Sequence, residues 1–490
     1  MLKIMKLSHS KNLVKTPDFR GTPRLEKLIL EGCTKLLEID QSIGVLERLV
    51  VLNLKDCKRL VSLPEGMYGL KALKVVNISG CSQLDYMVEE LGLVECLEEL
   101  DVSGTAIKQA SCPMFHFRNL KVFSLNGCKG QTSSLLSLLP EKDSNSSGFC
   151  SLMVLDLSNC NIQDGTLPSN LSCLSSLREI SLGGNSFISL PASINHLSKL
   201  ERLYLNNCTN LQSLQAFPAN VQFISAYGCS SLVKLPENLD ASSSRSRRFN
   251  FSNCFKLARN QGCNNITFMM LRRYLQGMSD PKTGFDIVIP GSNIPKWFNH
   301  QRLGDSSAID LPQMIWADRK WMGFALCAVF KINDRADRNS YFDLDLSCLL
   351  KINRRTWHHV FDEGFLTAME QVGSDQLWLF YLSRYEFLGI DWQEISQTTS
   401  RHVLEVKFTA HGVGFRVKKF GVRLIYEQDV LEFNQTINQF QSCDYENLDK
   451  SDGALVKRGY DDYCENDGPE SAGKCSFEEE PQPKRLKEFN

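Results

Sequence analysis

Cysteine and histidine are the side chains in this 490-residue chain with the sharpest chemistry; there are 18 of the first and 8 of the second. Thiolates and imidazoles hold zinc, and a thiolate beside an imidazole makes a nucleophile. Each role needs its own spacing, and the chain lacks those spacings. No C-x-x-C pair occurs, so a structural zinc site is without its usual ligand clip. His358-His359 is the only adjacent histidine pair, and no nucleophile or carboxylate dyad stands near it at a motif spacing. The nucleophile motif G-x-S-x-G is absent, and so is the phosphate loop G-x-x-x-x-G-K-[ST]. The expectation is a chain with no catalytic site, no metal and no cofactor.

The cysteines follow another rule: they recur once per repeat. The unit is L-x-x-L-x-L-x-x-C/N, with one copy at Leu25, Leu28, Leu30 and Cys33. It returns at Leu49, Leu73 and Leu97, a spacing of about 24 residues, within the leucine-rich-repeat range. Further copies start at Leu120, Leu152, Leu177, Leu200 and Val221, a partial one opens at Leu2, and a degenerate one closes at Phe249, Phe251 and Cys254. Cys33, Cys57, Cys81, Cys128, Cys160, Cys208, Cys229 and Cys254 share the ninth position with Asn185 and Thr105. A side chain there must satisfy backbone groups in the turn that follows the strand. These cysteines therefore read as a structural ladder in a reducing compartment, not as a disulfide set.

The ladder implies the elements that position it. The L-x-L pair makes a short strand with leucines inward, and successive strands stack in parallel. Each rung buries its leucines only against its neighbours. Leu63-Pro64, Leu167-Pro168, Leu190-Pro191 and Leu235-Pro236 mark turns or short helices on the convex side. A polar insert around Asp143–Gly148 should be a surface loop. Outward-facing strand residues line the concave face, where such solenoids bind. The candidate contact residues are Asn53, Lys55, Asn77, Asp101, Asp156, Arg202, Tyr204, Asn206, Phe223 and Tyr227. For any single small polar position, solvation of the sheet is the plainer reading. Tyr204, Phe223 and Tyr227, with Arg202 beside them, are of hot-spot type.

The repeat fades near residue 240. Residues 241–282 should form a polar link and a capping helix over Ile266 to Met278. Short β-type runs follow at Phe285 to Ile289, Ala308 to Leu311, Trp321 to Phe330, Tyr341 to Leu346, Leu377 to Leu382, His402 to Phe408 and Phe415 to Tyr426. Residues 283–432 are therefore expected to be an all-β sandwich or jelly roll. Residues 433–490, rich in Asp and Glu, are expected to be a disordered acidic tail. That tail ends in the basic cluster Pro483-Lys484-Arg485-Leu486-Lys487. The fold class is thus an α/β leucine-rich-repeat solenoid, with parallel β on its concave face, followed by a β-sandwich and a tail.

Net charge is -1, so no basic field exists to hold nucleic acid or an anionic membrane. The stretch Met1 to Leu7 does not read as a signal peptide, and no run of about eighteen apolar residues occurs. N-x-[ST] sites at Asn77, Asn145, Asn170, Asn207, Asn250, Asn265 and Asn434 keep an extracellular leucine-rich-repeat receptor open as a second reading.

The repeat wording Leu25-Glu26-Lys27-Leu28-Ile29-Leu30-Glu31-Gly32-Cys33 resembles that of the plant TIR-type nucleotide-binding leucine-rich-repeat disease resistance proteins. So do Phe251-Ser252-Asn253-Cys254-Phe255-Lys256-Leu257 and Val417-Lys418-Lys419-Phe420-Gly421-Val422. The loop Ile289, Pro290, Gly291, Ser292, Asn293, Ile294, Pro295, Lys296, Trp297 and Phe298 is similar to the signature of that family's post-repeat domain, a C-terminal jelly-roll/Ig-like fold. Gln376 and Phe420 stand where the family more often has histidine and cysteine. The resemblance implies contact with a pathogen effector or a guarded host protein, and a part in holding a receptor inactive until that contact. It implies TIR and nucleotide-binding domains in cis or in a partner receptor, and a cytoplasmic location, with nuclear import as a second expectation. The family's NAD-cleaving TIR domain is not in this chain. The chain opens inside a repeat, so its first rung is expected to need a covering partner.

Overall fold

The computed structural model describes residues 2–429 except 88–93, 95, 108, 111–116, 129–148, 169–170, 215–216, 219, 236–245, 262, 277–283, 314, 316–317, 319, 333–344, 353–354, 362–373, 388–401 and 412–414. The expected insert at 143–148, residues 241–245 of the polar link, and the expected tail lie outside the described residues.

Eleven short strands stack in parallel: β1 (Ile4–Lys6), β2 (Lys27–Ile29), β3 (Val51–Asn53), β4 (Val75–Asn77), β5 (Glu99–Asp101), β6 (Val122–Ser124), β7 (Val154–Asp156), β8 (Glu179–Ser181), β9 (Arg202–Tyr204), β10 (Phe223–Ser225) and β11 (Arg247–Asn250). The middle residue of a rung strand points into the core, as Leu52, Leu100, Leu155 and Leu203 do, at 0–1% exposure. Its two neighbours face the other way, onto the open face of the sheet. The inward leucines stack rung on rung into one core, so the repeat spacing becomes a packing register.

Every strand exits through a residue in the left-handed region, with φ between 57° and 74° from His9 to Asn253. Glycine adopts this freely, and Asn and Asp tolerate it. Gly80 needs to be glycine for a second reason: a Cβ there would collide with the Asp56 carboxylate of the previous rung. On the far side of the core the chain makes short 3-10 turns. Gln41–Val45 is capped by Asp40, whose carboxylate accepts from Ser42 N at 3.0 Å, and Glu65–Gly69 and Ala192–His196 follow Pro64 and Pro191.

The sheet does not stop where the repeat fades. Strand β11 lies inside the stretch expected to be a link, and β12 (Phe285–Pro290) pairs with it in parallel from Arg247↔Phe285 to Asn250↔Val288. Helices α1 (Phe255–Gln261) and α2 (Cys263–Gln276) connect them, and Leu271, Tyr274 and Leu275 of α2 close the solenoid core. The sequence suggested only the second helix. The sheet then turns antiparallel through β18 (Gln376–Ser383), β15 (Trp321–Ile332), β20 (Phe415–Tyr426) and β13 (His300–Leu303), for sixteen strands in all.

A second sheet runs β14 (Ser306–Leu311), β19 (His402–His411), β16 (Asp345–Ile352) and β17 (Arg355–Phe361). Leu346, Leu350, Leu404 and Phe408 of this sheet pack against Val288, Phe324, Trp378 and Phe420 of the large one, forming a second core. Strands β13 and β17 were not expected. His300-Gln301-Arg302-Leu303 is mostly exposed and lacks an apolar alternation, so only its pairing with β20 defines it.

Candidate protein-binding face

The ladder residues hold the rungs that present this face. Each ladder cysteine is buried, and its thiol reaches a carbonyl of the preceding rung: Cys57 to Leu30, Cys81 to Leu54 and Cys208 to Leu182, all at 3.2 Å. Burial pushes the thiols of Cys57, Cys81 and Cys160 up to about 12, so they stay protonated and donate. Asn185 does more. Its amide donates to Leu157 O at 2.9 Å and Leu182 O at 2.7 Å, and its oxygen accepts from Cys160 N and Ile162 N. Thr105 donates to Val102 O of its own rung at 2.7 Å and lies 3.5 Å from Cys128 Sγ of the next. Among the described residues no group of three or more His, Cys, Asp and Glu could hold a metal ion.

On the open face, the Asn and Asp row is partly occupied with the turns beside it. Asn53 accepts from Lys55 N, Asn77 from Ser79 N, Asp101 from Ser103 N and Asp156 from Ser158 N, at 2.9–3.0 Å. These are two-residue Asx turns that cap each strand's exit. All four residues are half-buried, and Lys55 is exposed. Asn206 accepts from Ser225 Oγ at 2.6 Å and Tyr227 N at 3.2 Å.

At the C-terminal rungs the face becomes aromatic and basic. Tyr204 and Phe223 are half-buried with ring centroids 5.3 Å apart. Arg202 is exposed and pairs with Glu179 at 2.6 Å. Tyr227 is a correction to the sequence reading: it is 6% exposed and packs in the core of the second domain. It shares that core with Val288, whereas Tyr204, one rung earlier, stays half-buried.

Register carries this row two rungs further than the sequence reading did, onto Arg248 and then onto a buried position. The row Arg202↔Phe223↔Arg248↔Asp286 is continuous. Asp286 is buried and accepts from Trp378 Nε1 at 3.0 Å; His359 Nε2 lies 3.0 Å from the same oxygen, and Arg248 3.9 Å from the other. The His359 ring stacks on Phe380 at 4.8 Å and Trp378 at 5.8 Å. Burial alone would lower the His359 pKa, but the charge and hydrogen bond of Asp286, with Glu386 behind it, outweigh burial and leave it raised. Arg248 could have been found by carrying the row one rung past Tyr227, using Cys254 as the marker. His359 offered no such signal, being 73 residues from Asp286.

The post-repeat signature splits into core and tip. Ile289 and Pro290 are buried in β12, Ile294, Pro295 and Phe298 are buried, and Gly291 is half-buried. Trp297 is wedged between Phe268 of α2 at 5.3 Å and the Arg423 guanidinium at 4.7 Å. Arg423 also donates to Trp297 O at 2.7 Å. Ser292 and Asn293 form the exposed tip. Gln376 joins the last repeat to the second domain: its amide donates to Asn253 Oδ1 at 3.1 Å and its oxygen accepts from Asn253 N at 3.2 Å. Phe420 lies between the two sheets, 5.3 Å from Phe408.

The C-JID domain model matches residues 289–431, and the Leucine Rich Repeat model matches residues 151–174. The chain is therefore a leucine-rich-repeat solenoid joined to a C-JID domain. Disease resistance-like protein DSC1 of Arabidopsis thaliana is 34% identical over 245 residues, 47% of this chain and 19% of the relative. Disease resistance protein RPS4B of the same plant is 28% identical over 364 residues, 66% of this chain and 30% of the relative. TMV resistance protein N of Nicotiana glutinosa is 30% identical over 188 residues, 37% of this chain and 16% of the relative. Over the matched stretches the chain is similar to the corresponding parts of these plant disease resistance proteins. It spans less than a third of the length of these relatives. No helix among the described residues is long and apolar enough to cross a membrane.

Proposed function

We propose that this chain is a sensor of plant innate immunity, which binds a pathogen effector or a guarded host protein through the open face of its sheet. The observation that carries the reading is the Tyr204–Phe223 pair with Arg202 and Arg248, set where the repeat face runs into the C-JID domain. Tyrosine and arginine are enriched among residues that carry binding energy, and aromatic rings give large contact area at low entropic cost. The relatives named above are disease resistance proteins, which supports an immune role. The C-JID domain, with its two facing sheets read as a jelly-roll/Ig-like sandwich, holds the end of the face rigid and offers Ser292 and Asn293 as a second contact. TIR and nucleotide-binding domains, in cis or in a partner receptor, would act on that contact, in the cytoplasm or nucleus.

An extracellular role fits less well. Asn77 and Asn250, two of the sequon asparagines, accept hydrogen bonds from the turns beside them, and Asn250 is 1% exposed. A glycan has no access to Asn250.

The test is proximity labelling in pathogen-challenged plant tissue with the wild-type chain, Tyr204→Ala/Phe223→Ala and a control at exposed Asn220. Proteins labelled by wild type and control but lost with the aromatic pair are expected. Identical profiles for all three would remove the reading.

A further inference from the structure

The middle of the open face has a composition of its own. Val51, Val75, Glu99, Val122 and Val154 stand in register as one row across five rungs. The valines are half-buried and Glu99 is exposed. Strand preference for β-branched residues does not confine valine to these rungs. The same position holds Lys27, Glu179, Arg202 and Arg248 on other rungs.

Part of the charge beside this band is already matched. In the adjoining row Lys74 and Lys121 grip Glu98 at 2.8 and 2.6 Å. Lys121, then Lys74, hold its carboxyl down at about 2. Glu179 is taken by Arg202. Glu99 has no ion pair among the described residues. Asp101, two residues along the same strand, faces the same way and gives one oxygen to Ser103 N. The band therefore reads apolar, apolar, carboxylate, apolar, apolar, and its occupant must answer with a cation between apolar groups.

Spacing decides the form of that occupant. Neighbouring rungs lie about 4.8 Å apart. Residues three or four apart on a helix advance about 4.5–6 Å, so one helix side chain meets each rung. Same-face residues of a strand advance about 6.6 Å and fall out of step. We infer that this band receives an amphipathic helix of a partner protein, with one Lys or Arg at the centre of its apolar stripe. Crossing five rungs takes about 13 helical residues. The inference rests on the protein–protein contact reading above and adds the chemistry of the partner.

The test is selection from a displayed library of single α-helices, randomised at the five face positions, on the full chain. Helices with a central Arg or Lys between apolar residues are expected on the wild type. Selection on Glu99→Lys should favour Glu or Asp at that position. A recovered helix should bind Glu99→Lys about tenfold or more weakly than wild type by fluorescence anisotropy, with Glu99→Gln between them. No central charge preference, no change on Glu99→Lys, or no helix recovered at all would overturn the inference. Clones insensitive to Glu99→Lys but lost with Tyr204→Ala/Phe223→Ala would do so while leaving the contact face standing. Clones insensitive to both sets would sink both readings.

Discussion

A thiol and an amide do the same work at the ladder position with very different strength. A ladder cysteine donates one S–H to the preceding rung, whereas Asn185 makes two donations and accepts two backbone N–H groups. Cys81→Ala is therefore expected to cost about 1 kcal/mol in urea unfolding, and Asn185→Ala about 3–4 kcal/mol, because it strands four buried groups. Equal losses would show that volume, not hydrogen bonding, sets the position. The sequence made the ladder legible because its residue types recur. His359 had no such signature, since only folding brings it to Asp286. Its pKa is raised in the folded chain, so its contribution to stability is complete below the unfolded value near 6.5 and is lost as pH rises through the folded value. The groups facing it are Asp286, Glu386 and Arg248. Stability measured across this window should fall with rising pH, and His359→Gln should flatten the slope; an unchanged slope would assign it elsewhere.

At the scale of the element, the rung is a strand of three residues that could not persist alone. It is held by parallel neighbours on both sides and released by a left-handed residue. Gly80→Ala combines a disfavoured φ of 72° with a collision against Asp56, and is expected to cost about 2 kcal/mol. Asp56→Gly in the same chain should recover the collision part but not the backbone part, read as two steps in the unfolding midpoint. A single variant as stable as wild type would show that the rung can shift. These features were visible in the sequence as Gly-Cys and Asp-Cys pairs at fixed spacing. The two edge strands β13 and β17 were not, because a polar or half-polar segment becomes a strand only when a partner offers it hydrogen bonds.

For the described molecule, the main structural fact is that repeat sheet and C-JID sheet are one sheet. A chain ended after Gly284 would leave the β11 edge unpaired and expose Phe249, Phe251 and Tyr227, all now buried. Such a chain is expected to aggregate on size exclusion at concentrations where the full chain runs as one species. A soluble product with its own sharp unfolding transition would show that the solenoid needs no such cover. The sequence by itself determined the repeat, the ladder, the inward leucines and the order of the two folds, because each repeat's contacts lie one period away and repeat with it. Tertiary structure alone decided that the sheet runs unbroken across the boundary. It also decided that Tyr227 is covered while Tyr204 is open, and that Arg248, Asp286 and His359 converge. Those outcomes depend on pairing between distant segments, such as Asn253 and Gln376, 123 residues apart, and no local pattern encodes a distance of that kind.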